Sequence, residues 1–181
     1  MIGKTIAEVT RGDHAEIVRT VQHEDIASFI DAVGDFNPMH GDVAYAATTP
    51  FKEPIAPGIF TAGLISAVIG TMLPGPGAIY LSQSLKFLKP VKAGDTITAR
   101  VEVLEVIRER NRLRLQTTCT NQRGEEVLAG EAWVMPSRTH IVYDEERRAA
   151  AALARLALGP WSWAAQTMSA WAAMVTSVAR R

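Results

Sequence analysis

The segment that most constrains this chain is Ile59–Leu73, fifteen consecutive residues without a charged side chain. Its large apolar residues are interleaved with Ala, Gly, Ser and Thr, and at helical spacing they occupy all sides of the helix. Such a helix is predicted to be buried on every side, although it is shorter than the roughly 20 residues of a membrane span. The remainder of the chain must therefore supply a surface that encloses it.

The residues after this helix are typical of antiparallel strands. Apolar and polar residues alternate through Thr96–Val106 and Arg112–Asn121, and Ile79–Leu88 and Glu126–Met135 complete the set. The four residues Asn121–Gly124 are predicted to form a hairpin turn. One buried helix followed by a strand meander indicates an α+β fold in which an antiparallel sheet wraps around a central helix.

Shorter elements are predicted before the buried helix. Glu16–Gln22 is rich in β-branched residues and is predicted to be a strand, and His23–Val33 has the apolar spacing of a helix that a glycine would end. Gly34–Asp42 is dense in turn-forming residues and predicts a loop. A short helix over Val43–Ala47, N-capped by Asp42, is expected to follow.

The composition changes after residue 139, which predicts a main domain over 1–139 and a helical C-terminal extension over 140–181. Within the extension, Ala149–Leu158 has a helical pattern, and Trp161–Ala179 contains three Trp and no charged residue. Uncharged Trp-rich segments occur in helices that lie at a membrane interface, so contact with a membrane or a polymer granule is one interpretation. Docking on the protein's own dimer and disorder are the others.

Charge and cysteine content narrow the functional classes. Lys plus Arg and Asp plus Glu both number 19, so the chain has no net charge that would attract nucleic acid. Cys119 is the single cysteine, which excludes an internal disulfide and favours a reducing compartment. The N-terminus lacks the charged start and apolar run of a signal peptide, so a cytoplasmic protein is expected.

The densest group of polar residues is Asp35-Phe-Asn-Pro-Met-His40. An Asp and a His on one stiff loop can share a water molecule, one taking a proton from it while the other delivers a proton to a substrate, an effect worth roughly 10²–10⁴-fold in rate. Pro38 would stiffen the loop, and Asn37 can hold the turn by bonding to the backbone. An ordinary solvated turn is the alternative interpretation of the same residues.

Two other kinds of chemistry find less support. His40 with Asp35 and Asp42 could bind a divalent ion, but no second His lies at ligand spacing, so no metal is predicted. Ser66 lies inside the buried helix without a nucleophile elbow, and Cys119 is expected to fill the core.

Gly58, at the start of the buried helix, is a candidate for binding a carbonyl oxygen. The first N–H groups of a helix are unpaired and carry a partial positive charge, so the Gly58 N–H could donate to an oxygen that gains negative charge. An ordinary glycine entry to a helix is the alternative.

These pieces occur in an order that resembles a known family. Asp35-Phe-Asn-Pro-Met-His40, Ala46-Ala-Thr-Thr-Pro-Phe51 and Pro54-Ile-Ala-Pro-Gly58 resemble the hydratase-2 motif of MaoC-type dehydratases. Leu73–Phe87 and Pro90–Asp95 resemble the single-domain (R)-specific enoyl-CoA hydratases that feed polyhydroxyalkanoate synthesis. The resemblance extends over about residues 6–136.

The resemblance implies a hot-dog fold and the reversible syn hydration of trans-2-enoyl-CoA to (R)-3-hydroxyacyl-CoA, without cofactor or metal. It implies that Asp35 and His40 activate water and manage protonation of the substrate's α-carbon. Three further residues are implied on the substrate side. Asn37 would support the loop, the Gly58 N–H would polarise the thioester carbonyl, and Ser66 would line the acyl pocket or pack the helix.

The resemblance also implies an acyl-CoA tunnel near the interface of a homodimer, or of a dimer of dimers, formed by joining sheets. The chain departs from the family at Pro57, where a His is usual, and in the extension after Thr139. Pro57 lacks an N–H, which puts the geometry around Gly58 in question. A hot-dog acyl-CoA thioesterase and a non-catalytic accessory or granule-associated subunit are the alternative functions.

Overall fold

The computed structural model describes residues 1–144, 146, 149, 150 and 153. The chain divides into two units, Met1–Val142 and Tyr143–Arg181. Of the predicted extension, the described residues Glu146, Ala149, Ala150 and Leu153 are helical, and the Trp-rich segment 161–179 lies outside the described residues. None of the described helices is long and apolar enough to cross a membrane.

The first unit contains seven strands, four α-helices and two single-turn 3-10 helices at Ile6–Glu8 and Arg108–Arg110. The strands are β1 (Ile2–Gly3), β2 (His14–Thr20), β3 (Ile79–Phe87), β4 (Thr96–Ile107), β5 (Arg112–Thr120), β6 (Glu126–Met135) and β7 (Ile141–Val142). The helices are α1 (His23–Val33), α2 (Pro38–Gly41), α3 (Val43–Thr48) and α4 (Gly58–Thr71).

Five of the strands form one antiparallel sheet in the order β2-β4-β5-β6-β3. Helix α4 packs against β2, β4 and β5. The predicted α+β architecture is therefore confirmed. Strands β1 and β7 form a separate pair that the sequence analysis did not predict, and this pairing places Ile141–Val142 in the first unit. The boundary at residues 139 and 140 stays a prediction.

Alternation along the strands builds the core. In β4 and β5 every second side chain faces α4 and is buried, whereas the residues between them are polar and partly exposed. The buried members are Ile97, Ala99, Val101, Val103, Leu113, Leu115, Thr117 and Cys119. Helix α4 contributes the side chains of Leu64, Ile65, Val68 and Ile69 to the same cluster. This apolar contact fixes the position of α4, and hence of its N-terminus, on the sheet.

The prediction that this helix is buried on every side is wrong for the single chain. Four residues at helical spacing are exposed and form what we term the α4 stripe: Ile59, Gly63, Ser66 and Gly70. The sheet covers only the opposite side of the helix, which packs mainly against β2, β4 and β5. The apolar composition of α4 on all sides therefore has no explanation within one chain.

The predicted loop over Gly34–Asp42 is also corrected, because it contains the single turn α2. Its N-terminus carries local signals that favour a helix: Pro38 occupies a first-turn position, and the side chain of Asn37 accepts a hydrogen bond from the Met39 N–H. The next predictions are confirmed. Helix α3 follows with Asp42 as its N-cap, bonded to the Tyr45 N–H.

The different burial of Val101 and Val18 predicts how much a core side chain contributes to the free energy of unfolding. The Val101 side chain is 0 % exposed on β4, whereas Val18 on the neighbouring β2 is 63 % exposed. Val101→Ala should lower the free energy of unfolding by about 2 kcal/mol, because it removes two buried methyl groups and leaves a cavity. Urea denaturation at one fixed protein concentration measures this loss.

Val18→Ala is the matched control, since both valines lie in paired strands and lose the same β-propensity. We expect it to cost less than about 0.7 kcal/mol. Equal losses for the two variants would contradict the placement of Val101 in the core.

Candidate active site

Asp35 is positioned by the end of α1. Gly34 adopts a left-handed conformation with φ of 74°, and its N–H donates to the Ile30 carbonyl at 2.8 Å. The Asp35 N–H donates to the same carbonyl at 3.2 Å. Since glycine adopts this conformation without steric cost, the helix ends at a defined residue and Asp35 leaves it in a fixed direction.

His40 is held by backbone groups of the segment before α4. The ring atom Nδ1 lies 2.7 Å from the carbonyl oxygen of Ile55, and the Ile55 N–H donates to the Met39 carbonyl at 3.2 Å. The next residue, Ala56, donates its N–H to the Val91 carbonyl at 2.7 Å. These three hydrogen bonds connect α2, the segment before α4 and the loop before β4, so the imidazole cannot turn independently of the fold.

The Asp35 carboxylate and the His40 imidazole face each other. Asp35 Oδ2 lies 3.6 Å from His40 Nε2, and the side chains are 44 % and 10 % exposed, respectively. A carbonyl oxygen only accepts, so the contact with Ile55 requires the proton on Nδ1. In the neutral ring Nε2 therefore carries the lone pair. A separation of 3.6 Å is too long for a direct hydrogen bond, but one water can lie beside the pair at roughly 2.8 Å from both atoms.

The other two polar side chains of this loop serve the backbone. Asn37 uses its side-chain oxygen to cap α2, and Asp42 uses its carboxylate to cap α3. Asn37 is exposed and holds the turn that carries His40. In the described part of the chain, no group of three or more His, Cys, Asp or Glu side chains is arranged to hold a metal ion.

The N-terminus of α4 is intact despite the proline that precedes it. Pro57 is the N-cap residue, with φ of −54° and ψ of 135°, and its carbonyl accepts from the Phe60 N–H at 3.0 Å. These are angles that proline adopts without strain, so Pro57 is compatible with a helix that begins at Gly58. The Gly58 N–H makes no hydrogen bond to the residues that the structure describes.

His40 and Gly58 line the same cavity, which has a volume of about 430 Å³. Its walls are largely apolar, with one lysine among them: Phe51, Ile55, Ala56, Ile59, Thr61, Phe87, Leu88, Lys89, Pro90, Val91 and Val127. A cavity of this size and character fits an apolar chain that carries one polar group. The structure thus brings His40 and the helix N-terminus to one space, with Asp35 beside His40.

Ser66 is not part of this cavity. It lies on the exposed α4 stripe, about 12 Å along the helix from Gly58 at 1.5 Å per residue. Within one chain the structure therefore does not bring Ser66 together with the Asp35–His40 pair. Its assignment to the acyl pocket stays a prediction.

Lys89 lies at the edge of the cavity and is fixed by an ion pair. Its Nζ atom is 2.5 Å from Glu125 Oε1. The hydrogen bond from the Asn121 side chain, together with those from Lys89 and Arg123, lowers the pKa of Glu125 to about 2. Glu125 is therefore ionised at neutral pH. It holds the ammonium group of Lys89 beside the cavity, where that group can attract an anionic part of a ligand.

Sequence reasoning missed three residues of the site. The Ile55 carbonyl orients His40, and the rings of Phe51 and Phe87 wall the cavity. Every residue has a main-chain carbonyl, so the side chain at position 55 does not indicate that its carbonyl accepts a hydrogen bond from His40. The two phenylalanines are indistinguishable from core residues until the fold leaves them facing a space.

Comparison with known proteins identifies the family. A family model described as a MaoC like domain matches residues 6–124. The chain belongs to this family. The match includes the loop with Asp35 and His40, and the start of α4.

Two curated proteins are similar to this chain over most of its length. A protein from Rhodospirillum rubrum named (R)-specific enoyl-CoA hydratase is 48% identical over 132 residues, which are 72% of this chain and 91% of the relative. A protein from Methylorubrum extorquens named 3-hydroxybutyryl-CoA dehydratase is 51% identical over 116 residues, 64% of this chain and 73% of the relative.

A solved structure supports the same relationship. The unliganded R-hydratase from Pseudomonas aeruginosa is 44% identical and superposes with a TM-score of 0.75, covering 79% of this chain and 92% of the other. The predicted hot-dog fold is thereby confirmed for the first unit.

The contact with Ile55 predicts one tautomer for His40. In the neutral imidazole the proton should reside on Nδ1, because only a protonated Nδ1 can donate to the carbonyl. Nitrogen-15 NMR of histidine-labelled protein distinguishes protonated from unprotonated ring nitrogens, and the His40→Ala spectrum identifies the signal. Exposed His23, whose ring makes no hydrogen bond to the described residues, should show a mixture. A proton on Nε2 of His40 would contradict the assignment.

Proposed function

We propose that this chain is an (R)-specific enoyl-CoA hydratase that reversibly adds water to trans-2-enoyl-CoA, giving (R)-3-hydroxyacyl-CoA. The observation that carries the proposal is the separation of 3.6 Å between Asp35 Oδ2 and His40 Nε2, with His40 lining the cavity that also receives the N-terminus of α4. The names of the relatives from Rhodospirillum rubrum and Methylorubrum extorquens support the same reaction class.

Asp35 and His40 bind the water molecule and exchange protons with it. With Nδ1 bonded to the Ile55 carbonyl, Nε2 is the ring nitrogen free to exchange a proton, and it faces the Asp35 carboxylate. Asp35 and His40 hold one water between their polar atoms and the substrate. As the oxygen bonds to C3 of the enoyl group, one member of the pair takes a proton from the water and the pair returns a proton to C2.

The N-terminus of α4 binds the thioester carbonyl of the substrate. When the water oxygen attacks C3, electron density moves through C2 to the thioester oxygen, which gains negative charge. The unpaired Gly58 N–H at the positive end of α4 donates to that oxygen and stabilises the charge. A single deleted donor of this kind costs other enzymes about 10²–10³-fold in turnover.

The reaction needs no cofactor in this scheme. One proton leaves the water for the pair, one proton leaves the pair for C2, and no electron is transferred to an external acceptor. The apolar walls of the cavity accommodate the acyl chain, and Lys89 at its edge offers a charge to the phosphates of CoA. We therefore propose an acyl-CoA as the substrate and no bound cofactor.

We also propose that two copies of the chain form a homodimer through β3. This strand is at one edge of the sheet, and it exposes Ile79 and Leu81 at 51 % and 42 %. A long apolar edge strand is a template for pairing with another chain. The partner would also cover the α4 stripe and so account for a helix that is apolar on all sides.

We place the protein in a reducing, cytoplasmic setting. Cys119 is fully buried, and burial raises the pKa of its thiol to about 12. The thiol is therefore neutral and unreactive at physiological pH, as expected of a side chain that fills space in the core.

Replacement of either catalytic side chain tests the proposed reaction. Asp35→Asn and His40→Ala should each lower turnover of crotonyl-CoA by at least about 10²-fold, because the pair then cannot pass the proton. Loss of the enoyl absorbance reports hydration, and circular dichroism verifies that the variants are folded.

Free CoA is measured in the same samples. Absorbance loss without CoA release supports a hydratase, whereas CoA as the main product would show a thioesterase and refute the proposal. A folded parent protein that is inactive on every enoyl-CoA would instead support an accessory subunit. Near-normal turnover by either variant would remove that residue from its role.

Gly63→Arg tests the dimer. The Cβ of a residue at position 63 meets nothing within 4 Å in the single chain, so the change is compatible with the fold of one copy. A partner chain packed on the α4 stripe would bury the charge of the new arginine. The free-energy cost of burying this charge should separate the dimer into monomers. Analytical ultracentrifugation measures the change, with Asp31→Arg on the exposed side of α1 as the control. A Gly63→Arg protein that stays dimeric would contradict the proposed interface.

A further inference from the structure

We propose that Phe87 is a positioning residue that shields the N-terminus of α4 from water and directs the thioester carbonyl to the Gly58 N–H. The proposal rests on the function proposed above and adds a residue to the same site. Phe87 is the last residue of β3, and Gly58 is the first residue of α4.

The ring of Phe87 lies directly against Gly58. A Cβ added to Gly58 would be 2.7 Å from Cε1, 2.9 Å from Cδ1 and 3.0 Å from Cζ of Phe87. Any side chain at position 58 would therefore have its Cβ closer to three consecutive ring atoms than ordinary van der Waals contact allows. The aromatic ring occupies the space that a side chain of residue 58 would otherwise fill.

The backbone does not require glycine here. Gly58 is absent from the glycines with positive φ, and it begins a regular α-helix, where every L-residue is allowed. In the described part of the chain the close approach of Phe87 is the constraint that excludes a side chain. The two positions are therefore coupled, because the phenylalanine ring at position 87 requires that residue 58 have no side chain.

The ring also faces the space that the substrate would enter. Phe87 is 53 % exposed and lines the cavity with His40 and Gly58. A side chain that only filled the core would not combine this exposure with contact at the helix terminus.

The position of the ring has a consequence for the carbonyl. A donor at a helix terminus binds water unless something excludes it, and each competing water weakens the hydrogen bond to the substrate. In this proposal the ring, which lies on the side of Gly58 where a Cβ would be, excludes water from that side of the residue and lowers the dielectric near its N–H, which strengthens the interaction with a developing oxyanion. The open side lies toward the cavity, and the carbonyl must approach from there.

A double-mutant cycle tests the contact. Gly58→Ala keeps the N–H but places a methyl group against the ring, and it should lower kcat/KM for crotonyl-CoA by about 10²-fold, as loss of an oxyanion donor does. Phe87→Leu should lower kcat by about 10-fold with a smaller change in KM, because it admits water to the donor. The double variant should retain activity within about threefold of Phe87→Leu alone, since the leucine relieves the collision.

Phe51→Leu is the matched control. Phe51 lines the same cavity, but the three atoms nearest to a Cβ at position 58 all belong to Phe87. The same aromatic-to-leucine change at this position should not rescue Gly58→Ala, and the losses of these two variants should multiply.

A spectroscopic measurement separates positioning from packing. In the slow Asp35→Asn background, a bound enoyl-CoA whose carbonyl is polarised absorbs at longer wavelength than free enoyl-CoA. Adding Phe87→Leu should reduce this red shift, and adding Phe51→Leu should preserve it.

The outcomes distinguish the two proposals. Hydration by the parent protein with multiplicative losses in Gly58→Ala/Phe87→Leu, or with an unchanged red shift in Phe87→Leu, would overturn the role of Phe87 alone. A parent protein without hydratase activity would contradict the proposed function, and the role of Phe87 with it.

Discussion

Burial of one side of α4 against β2, β4 and β5 is the contact on which the rest of the structure depends. It consists of apolar side chains that alternate along the strands and repeat at helical spacing on α4. Because the helix is rigid, this contact also fixes the direction of its first N–H groups. The core therefore places the partial positive charge of the helix terminus at the cavity.

The loop that carries Asp35 and His40 is connected to this core through backbone hydrogen bonds rather than through side-chain packing. Ile55 bonds both to Met39 and to the ring of His40, and Ala56 bonds to Val91. Since Ile55 and Ala56 lead directly into α4, the segment that positions the helix terminus also positions the imidazole. In the proposed site, the distance between the carbonyl-binding N–H and the Asp35–His40 pair is thus set by hydrogen bonds that join three separate main-chain segments, at residues 39–40, 55–56 and 91.

The α+β architecture and the hairpin at residues 121–124 could be predicted because they depend on local periodicity and turn chemistry. The sequence also pointed to Asp35 and His40 on one loop, and the structure brings their side chains to 3.6 Å, whereas their catalytic roles stay a prediction. It did not predict the exposed α4 stripe, since burial depends on how far a sheet extends across a helix. It also missed the Ile55 carbonyl, which belongs to a backbone group, and Phe87, whose role depends on an approach between residues 29 positions apart.

The bond between His40 Nδ1 and the Ile55 carbonyl has a stereochemical consequence. An imidazole with both nitrogens free could take a proton on one side and release it on the other, as a relay across its ring. Here only Nε2 is available, and it lies next to the carboxylate of Asp35. In the proposed reaction, both proton transfers therefore occur at this edge of the imidazole, and the oxygen and the hydrogen reach the same face of the planar enoyl group. The geometry of one main-chain carbonyl thus favours addition to a single face.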